Sequence, residues 1–383
     1  MEQQIKTTFA ILGGGIAGLS TAIALKKIGI DALVLEAAPE FKPVGAGITL
    51  AVNAMKAYDH LGIKEEITSA GRPFKILDLL TQEGKVISKT DTGLIEDHYT
   101  NIAIHRRNLH DRLLAQLDRD QIKNGKRTHS FVKKDDQYQI ECKDGTTIEA
   151  KYVIVAEGIH SPIRQQLLPN AKQRYSGYTC WRGIADNSQL EWNQTSETWG
   201  KKGRFGIVPL KDDQLYWFAV VNGPEESEEL KKTDRLQLFE WFGNYHYPIK
   251  AIIEATQEKN IFHNDIKDLQ PITQFAFDNI VLVGDSAHAT TPNMGQGACQ
   301  AIEDAVILAE CLKKHSIASE AFRAYENKRI KRTHFIVNQS WKIGKVGQWE
   351  HPVMIRLRNA LFRLLPASFF HKQIREVYNF QVN

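Results

Sequence analysis

The sequence is poor in cysteine and lacks any long hydrophobic run. Four cysteines in 383 residues, none in a Cys-x-x-Cys pair, argue against a disulfide scaffold and against a zinc finger. No apolar run approaches the roughly 18 residues of a membrane span. The first residues, Met1–Thr8, are polar and indicate no signal peptide. We therefore expect a cytoplasmic protein without stable membrane insertion.

A strong charge of one sign is also missing. The net charge is only +4, which gives no indication of a nucleic-acid partner. Hydrophobic residues make up 42% and charged residues 25% of the chain, an ordinary globular composition. The length is sufficient for two modest domains, or for one domain with a large insertion.

The clearest local motif is a glycine-rich loop near the start of the chain. An apolar strand, Phe9–Leu12, runs into the pattern G-x-G-x-x-G at Gly13, Gly15 and Gly18, and a helix rich in alanine and leucine follows over Leu19–Ile28. The first glycine permits the tight turn, the second lets the backbone approach a pyrophosphate, and the third lets the helix pack on the sheet. This pattern predicts a dinucleotide-binding fold.

The second strand of that unit restricts the nucleotide. It covers Asp31–Leu35 and ends in Glu36. A carboxylate at this point accepts hydrogen bonds from both ribose hydroxyls and repels a 2′-phosphate. The tightly bound nucleotide is therefore predicted to be FAD or NAD rather than NADP.

A block near the C-terminus separates FAD from NAD. The apolar strand Ile280–Val283 leads into Gly284–Ala305, which contains Asp285 and the run Gly295–Gly297 ahead of an alanine-rich helix. The aspartate can accept hydrogen bonds from the ribityl chain, and the helix start can stabilise negative charge on a reduced flavin. The block resembles the G-D-A-A-H…P-x-x-G-Q-G…E-D-A signature of the class A flavoprotein monooxygenases, the family of para-hydroxybenzoate hydroxylase.

Shorter segments extend the resemblance over nearly the whole chain. His105–His110 is similar to the family's h-R-x-x-L segment, which makes Arg106 the FAD-contacting arginine. Val44–Leu50 resembles the glycine-rich turn after the second strand, with Gly47 in the site. Gly125–Thr128 falls where the family brings a backbone segment past the adenine, which makes Thr128 a candidate contact.

One segment departs from the family pattern. Val153–Arg164 resembles the motif G-A-D-G-x-x-S-x-x-R, but Val155 replaces the first glycine and Glu157 replaces the aspartate. In the family this motif serves both FAD and the transient NAD(P)H. The change leaves open how the nicotinamide donor docks, and Arg164 is expected to maintain the geometry of the motif.

Taken together, these motifs predict the cofactor contacts. The residues expected to bind FAD are Gly13, Gly15, Ile16, Ala17, Gly18, Glu36, Ala37, Gly47, Arg106, Thr128, Asp285, Pro292, Gly295, Gln296, Gly297 and Ala298. No metal site is expected.

The predicted fold class is α/β. A glutathione-reductase-like FAD-binding Rossmann domain is interrupted by an inserted, mostly antiparallel β domain for the substrate and is followed by C-terminal helices. The predicted limits are 1–72, 101–172 and 266–345 for the FAD-binding domain, 73–100 and 173–265 for the substrate domain, and 346–383 for the C-terminal helical segment.

The resemblance also implies the reaction. NADH or NADPH would act as a transient co-substrate that reduces FAD, O₂ would add to give a C4a-hydroperoxyflavin, and one oxygen atom would pass to an aromatic, heteroaromatic or unsaturated small molecule. Two alternatives stay open: a flavin oxidase or reductase on the same fold, and a non-catalytic flavin-binding redox sensor. The sequence does not indicate an oligomeric state.

The substrate is expected between the β domain and the flavin. Arg204–Leu210 and Gln214–Val221 predict a hairpin on which Tyr216 and Phe218 share one face and Trp217 points the other way. Arg204 and Tyr216 are the candidate catalytic residues, because a buried arginine needs an anionic or acceptor partner. Pro292 and Asn293 are expected on the flavin side, and His288 is expected to be structural.

The tail from Pro352 to Phe380 is basic, apolar and helical in period. It is compatible with a helix on a membrane surface. Pro366 and Glu376 interrupt the pattern, which favours a helix that caps the core.

Overall fold

The structure is a computed structural model that describes residues 4–41 and 46–382. Its strands are β1 (Gln4–Leu12), β2 (Ala32–Leu35), β3 (Gly47–Leu50), β4 (Arg72–Phe74), β5 (Ile76–Thr81), β6 (Val86–Asp91), β7 (Asn101–His105), β8 (Ile122–Lys123), β9 (Thr128–Lys134), β10 (Gln137–Cys142), β11 (Thr147–Val155), β12 (Gln173–Asp186), β13 (Ser196–Trp199), β14 (Arg204–Pro209), β15 (Gln214–Asn222), β16 (Thr256–Leu269), β17 (Ala276–Phe277) and β18 (Ile280–Leu282).

Its helices are α1 (Ile16–Lys27), α2 (Val52–Leu61), α3 (Lys64–Ala70), α4 (Arg106–Leu114), α5 (Pro162–Leu167), α6 (Glu228–Lys231), α7 (Arg235–Phe242), α8 (Ile249–Glu254), α9 (Asp285–His288), α10 (Gly297–Lys314), α11 (Ala318–Gly347), α12 (Pro352–Leu364) and α13 (Ala367–Tyr378). Short 3₁₀ turns cover Thr92–Leu94, Arg119–Gln121 and Pro292–Met294.

The first sheet carries the glycine-rich loop. Its strand order is β17-β18-β11-β1-β2-β8, and β1 lies parallel to both β2 and β11. The half of β1 from Phe9 to Leu12 is fully buried, because parallel strands covered on both faces need continuous apolar runs. The chain leads from β1 to β2 on one side and from β11 to β18 on the other, so the strand order reverses between β1 and β11. Ligands bind in open α/β sheets in the crevice at the carboxyl ends of strands at such a point.

The second sheet has the order β16-β12-β15-β14-β13-β5-β6. Its neighbours pair antiparallel except β13 and β5, which are parallel, and the predicted hairpin of β14 and β15 is confirmed. One face buries Trp181, Phe205 and Trp217 against α7 and α8. The opposite face carries Tyr216 and Phe218 and packs against Ala46 and Ala103.

A third sheet, β3-β7-β4, was not predicted. It lies between the other two, because Ile102 and Ile104 of β7 belong to the core of the first sheet and Ala103 packs with Tyr216 of the second. Gly47 at the start of β3 comes so close to the second sheet that an added Cβ would lie 2.5 Å from Tyr216. This approach brings the glycine-rich turn and the hairpin to one place. Val44 and Gly45 of that turn lie outside the described residues.

The fold class predicted from the sequence is confirmed. The domain limits stay a prediction, and β4, β16 and α11 each run across one of them. The predicted helical stretch after Ser319 belongs to α11, which is longer than expected, and the tail divides into α12 and α13 at Pro366. Along the described chain, no helix is long and apolar enough to cross a membrane.

Candidate active site

The glycine-rich loop forms the first half of the site. Gly13 has φ +108°, and a Cβ there would lie 2.4 Å from the carbonyl oxygen of Ala156. A Cβ on Gly18 would lie 1.9 Å from the carbonyl oxygen of Gly13, whereas one on Gly15 would meet nothing within 4 Å. Because no side chain caps α1, the backbone N–H groups of Ile16 and Ala17 face this open space. The loop can therefore hold an anion against the helix dipole.

Glu36 stands beside this loop at the end of β2. Its carboxylate accepts hydrogen bonds from the backbone N–H of Gly14 at 2.8 Å and of Ala38 at 2.7 Å. The segment after β8 runs alongside, since the N–H of Lys126 donates to the Glu36 carbonyl at 2.8 Å. Ala37 is half-buried between them. The end of β2 and the segment at Lys126 therefore lie next to each other.

Asp285 forms the second half of the site, where β18 gives way to α9. Asp285 is exposed to solvent. The protein atoms around its carboxyl nevertheless displace part of the water from it, and this desolvation raises the pKa of the carboxyl. The nearby positive charge of Arg106, which is exposed at the start of α4, acts in the opposite direction. No described residue donates a hydrogen bond to this carboxylate. It is therefore free to accept hydroxyl donors from a ligand such as a ribityl chain.

The start of α10 lies beside Asp285. Gly295 has φ +62°, and no side chain caps the helix, so the N–H groups of Gly297 and Ala298 are available to an anion. The Gln296 side chain points inward instead, where its oxygen accepts a hydrogen bond from Asn53 at 2.9 Å. Its contribution to a ligand site is therefore limited to its backbone. Pro292 is exposed just ahead of this turn.

A buried network of charges holds the two halves together. The Asp304 carboxylate on α10 bonds to His288 at 2.6 Å, to the backbone N–H of Gly284 at 2.8 Å and to Arg329 of α11 at 2.6 Å. Burial alone would raise the pKa of Asp304, but His288 and Arg329 outweigh it and lower the pKa to about 2. The structural role predicted for His288 fits this bond.

Glu303 continues the network on the next residue of α10. Arg329 donates to its carboxylate at 2.6 Å, and Arg332 and Asn53 donate to it as well. Because two cations share two buried carboxylates, the charges are balanced within the described core. The network ties α10 to α2 and α11, and so fixes the helix start that faces the ligand.

Glu157, the residue that departs from the family motif, is used internally. Its carboxylate accepts hydrogen bonds from Ser161 at 2.6 Å and from the hydroxyl of Thr128 on β9. Desolvation raises its pKa despite these donors. Arg164 donates to the carbonyl of Ile159 at 2.7 Å and so maintains the turn, as expected. The longer side chain of Glu157 therefore bridges this motif to Thr128.

The pocket wall comes from the second sheet. Strand pairing places Arg182 of β12 opposite Phe218 and Ile184 opposite Tyr216, so these four side chains share the face that turns toward the flavin elements. Burial raises the pKa of the Tyr216 phenol, and the charge of Arg182 beside it lowers that pKa only in part. Tyr216 is therefore a neutral hydrogen-bonding phenol at neutral pH.

Arg204, the other candidate catalytic residue, is fully engaged. It is 2% exposed, and it donates to Gln348 at 2.8 Å, to Glu197 at 3.1 Å and to Asn293 at 2.8 Å. Its charge is therefore balanced by Glu197 rather than left free for a ligand. Through Asn293 it is connected to the turn on the flavin side of the pocket.

Sequence reasoning missed the residues that support the site. Arg182 was part of a matched segment but received no role, although alternation along β12 would have placed it on the pocket face. Asn53, Glu303 and Arg329 lie on three separate helices, and no local pattern connects them. Among the described residues, no group of three or more His, Cys, Asp or Glu side chains is arranged to hold a metal ion.

Comparison with known proteins places the chain in a family. Residues 6–340 match the family model described as FAD binding domain. The chain belongs to this family. It is 37% identical over 364 residues to the aurachin C monooxygenase/isomerase of Stigmatella aurantiaca, covering 94% of this chain and 95% of the relative.

Two further relatives agree. The 2-heptyl-3-hydroxy-4(1H)-quinolone synthase of Pseudomonas aeruginosa is 33% identical over 368 residues, covering 94% of this chain and 95% of that protein. The structure of Klebsiella pneumoniae HpxO complexed with FAD and uric acid superimposes with a TM-score of 0.90 at 26% identity, covering 97% of this chain and 96% of that one. The predicted class of the protein is confirmed: it is an FAD-dependent monooxygenase, and FAD is its cofactor.

Proposed function

We propose that the protein uses NADH or NADPH and O₂ to hydroxylate a nitrogen heteroaromatic small molecule, with a 4-quinolone as the first candidate. The observation that carries the proposal is the pocket wall of Tyr216, Phe218 and Arg182. It combines apolar ring surfaces with one cation and one neutral phenol, which suits a flat ring system bearing a polar oxygen.

The relatives support this substrate class. The Pseudomonas protein is named for a bicyclic nitrogen heteroaromatic that carries oxygen substituents and an alkyl chain, and HpxO was solved with uric acid. Both compounds, the quinolone and uric acid, are heterocycles with hydrogen-bonding groups rather than hydrocarbons. A hydrophobic wall with a few polar groups discriminates such rings by their oxygen and nitrogen positions.

The chain supplies two anion-binding helix starts for the cofactor. We propose that the N–H groups of Ile16 and Ala17 bind the pyrophosphate and that Glu36 binds the ribose. Asp285 accepts from the ribityl hydroxyls, and the N–H groups of Gly297 and Ala298 face the pyrimidine edge of the flavin. When bound, FAD supplies the hydride acceptance and the oxygen activation that side chains lack.

Arg182 and Tyr216 orient the substrate in this proposal. The guanidinium stabilises negative charge on the oxygen substituent of the ring, and the Tyr216 phenol hydrogen-bonds the same oxygen. Arg204 fixes the Asn293 turn on the opposite side. The contribution of Arg204 to substrate orientation, predicted from the sequence, is therefore indirect.

Substitution of Arg182 and of Arg204 by alanine, in separate variants, tests the roles proposed for them. Arg182→Ala is expected to raise the KM for the substrate at least tenfold, because a charge-assisted hydrogen bond contributes about 1.5–3 kcal/mol. Arg204→Ala is expected to lower the coupling of NAD(P)H consumption to hydroxylation, with a smaller effect on KM. If Arg204→Ala changes neither KM nor coupling, its proposed role is wrong.

Anaerobic reduction of the bound flavin tests the function as a whole. The purified protein is titrated with NADH and with NADPH, alone and with a panel of 2-alkyl-4(1H)-quinolones, purines and hydroxypyridines. Bleaching that is accelerated by a quinolone supports the proposal and identifies the reductant. Acceleration only by a compound from another class contradicts the quinolone assignment, and flavin that neither nicotinamide reduces favours an oxidase or a redox sensor.

The cytoplasmic location predicted from the sequence is part of the same proposal. It is supported by the four cysteines, all of which are free and buried. Release of the protein on osmotic shock of intact cells, compared with its release on lysis, tests this location, because a cytoplasmic protein is released only on lysis.

A further inference from the structure

Helix α12 exposes an apolar surface that its packing does not explain. Five of its side chains are 36 to 80% exposed. They are Val353, Met354, Leu357, Leu361 and Leu364. Because these positions recur at intervals of one, three or four residues, they form one continuous stripe along the helix. We call this stripe the α12 apolar face.

The helix is held to the protein by its other side. Arg358 is 1% exposed, its guanidinium lies 4.7 Å from the centre of the Trp199 ring, and it donates to the Gly347 carbonyl at 2.9 Å. Phe362 packs edge-on against the same tryptophan at 5.4 Å. The α12 apolar face is therefore presented outward by an anchored helix. It is not an unpacked end of the chain.

The neighbouring helix α13 behaves differently. It buries Val377 and Tyr378 against Val52 and Ile336. Its outward residues are mostly polar, such as Lys372 and Glu376. The capping role expected for the tail therefore describes α13, whereas α12 needs another explanation.

Positive charge lies along one border of the α12 apolar face. Residues 351–375 contain five lysines and arginines, of which Arg358 is buried, and no aspartate or glutamate, although Glu350 and Glu376 flank this range. Arg356 and Arg363 are exposed along one border of the face, and Arg363 donates to the Val86 carbonyl on the edge strand β6. Val86 itself is exposed, between the exposed Lys85 and the buried Ile87. The region thus joins apolar side chains to cations.

Two occupants have to be compared. A second copy of the chain related by a two-fold axis would bring Arg356 and Arg363 toward the same two arginines of the other copy, and like charges repel. Five side chains on a thirteen-residue helix are also far fewer than the roughly 20–30 residues that each partner contributes to a stable interface. An anionic lipid bilayer can bind both parts of this region, because its acyl chains bury the apolar face and its headgroups attract the arginines.

We propose that the α12 apolar face docks the protein on the surface of an anionic lipid bilayer. The helix lies in the plane of the interface, with Leu357, Leu361 and Leu364 inserted among the acyl chains and the arginines at the level of the phosphates. The contact is peripheral and reversible. It does not depend on the proposed substrate.

The test is co-sedimentation of the FAD-loaded protein with vesicles of phosphatidylcholine, alone or mixed with phosphatidylglycerol. Binding is expected only to the mixed vesicles and is expected to weaken with salt. The double variant Leu357→Glu/Leu361→Glu should bind at least tenfold more weakly, because two apolar contacts become anionic. Arg356→Gln should lower binding about fivefold.

Leu236→Glu is the matched control, since Leu236 is a 65% exposed leucine on α7. It should bind like the parent, and all variants should retain FAD and helical content because the substituted side chains are exposed. The proposal is overturned if the parent does not bind mixed vesicles, or if the control loses binding as strongly as the α12 variant. It is also overturned if gel filtration shows a dimer that Leu357→Glu/Leu361→Glu dissociates while vesicle binding stays absent.

Discussion

The glycine-rich loop provides a prediction that separates folding from cofactor binding. Gly15 has φ −77° and ψ −171°, angles open to any residue, and an added Cβ would meet no atom within 4 Å. The substitution Gly15→Ala should therefore change the unfolding free energy of the apoprotein by less than about 0.5 kcal/mol. The same methyl group would occupy the space in which a pyrophosphate approaches the backbone.

The magnitude follows from hydrogen-bond geometry. Phosphate oxygens bind backbone N–H groups at about 2.9 Å, whereas a methyl carbon needs about 3.5 Å or more to its neighbours. Gly15→Ala should therefore forfeit at least one charge-assisted hydrogen bond, worth about 1.5–3 kcal/mol. The Kd for FAD should rise by roughly ten- to a hundredfold.

Gly18→Ala provides the contrasting variant. Its Cβ would lie 1.9 Å from the carbonyl oxygen of Gly13, so the turn itself must shift. We expect about 1–3 kcal/mol or more of destabilisation already without FAD. The assays are urea unfolding of the apoprotein and quenching of FAD fluorescence on binding. Unchanged FAD affinity in Gly15→Ala would refute the position assigned to the pyrophosphate.

Three further predictions concern the second half of the site. Asp285→Ala should weaken FAD binding by at least tenfold in the same fluorescence assay, because the carboxylate has no other described donor; an unchanged Kd would refute its role. Arg329→Met should lower the unfolding free energy in urea by about 3–5 kcal/mol, since it leaves Glu303 and Asp304 buried with too little positive charge; a loss below 1 kcal/mol would contradict this. The Asp304 pKa is lowered in the folded protein from 3.8 to about 2, so its stabilisation is complete above about pH 4 and is lost as the pH falls through 2. Asp304→Asn should flatten the measured stability profile in that window, and an equally steep profile in the variant would argue against the assignment.

The sequence predicts best where function needs a local pattern. The turn at Gly13 and the run Gly295–Gly297 are contiguous, and the helix starts that they precede occur in the structure at Ile16 and Gly297. Period-two alternation likewise placed Tyr216 and Trp217 on opposite faces of β15. In these cases, neighbouring residues determine the geometry.

The supporting contacts could not be predicted in this way. Arg204 is held by Gln348 and Asn293, which are distant in the sequence, and Arg329 reaches Glu303 from another helix. The pairing of β3, β4 and β7 depends on register between separate segments, and single strands do not encode that register. The apolar face of α12 is exposed because Trp199 contacts the opposite face, through Arg358 and Phe362. The amphipathic period of the helix does not predict which of its faces packs on the protein.

The most direct test of the account is the fate of isotopically labelled dioxygen. The FAD-loaded protein turns over NADH or NADPH with the quinolone that accelerates flavin reduction, and the product is analysed by mass spectrometry. The account predicts that one labelled oxygen atom enters each product molecule and that none comes from labelled water. A product without the label, or consumption of NAD(P)H that yields only hydrogen peroxide with every compound, would contradict the monooxygenase assignment.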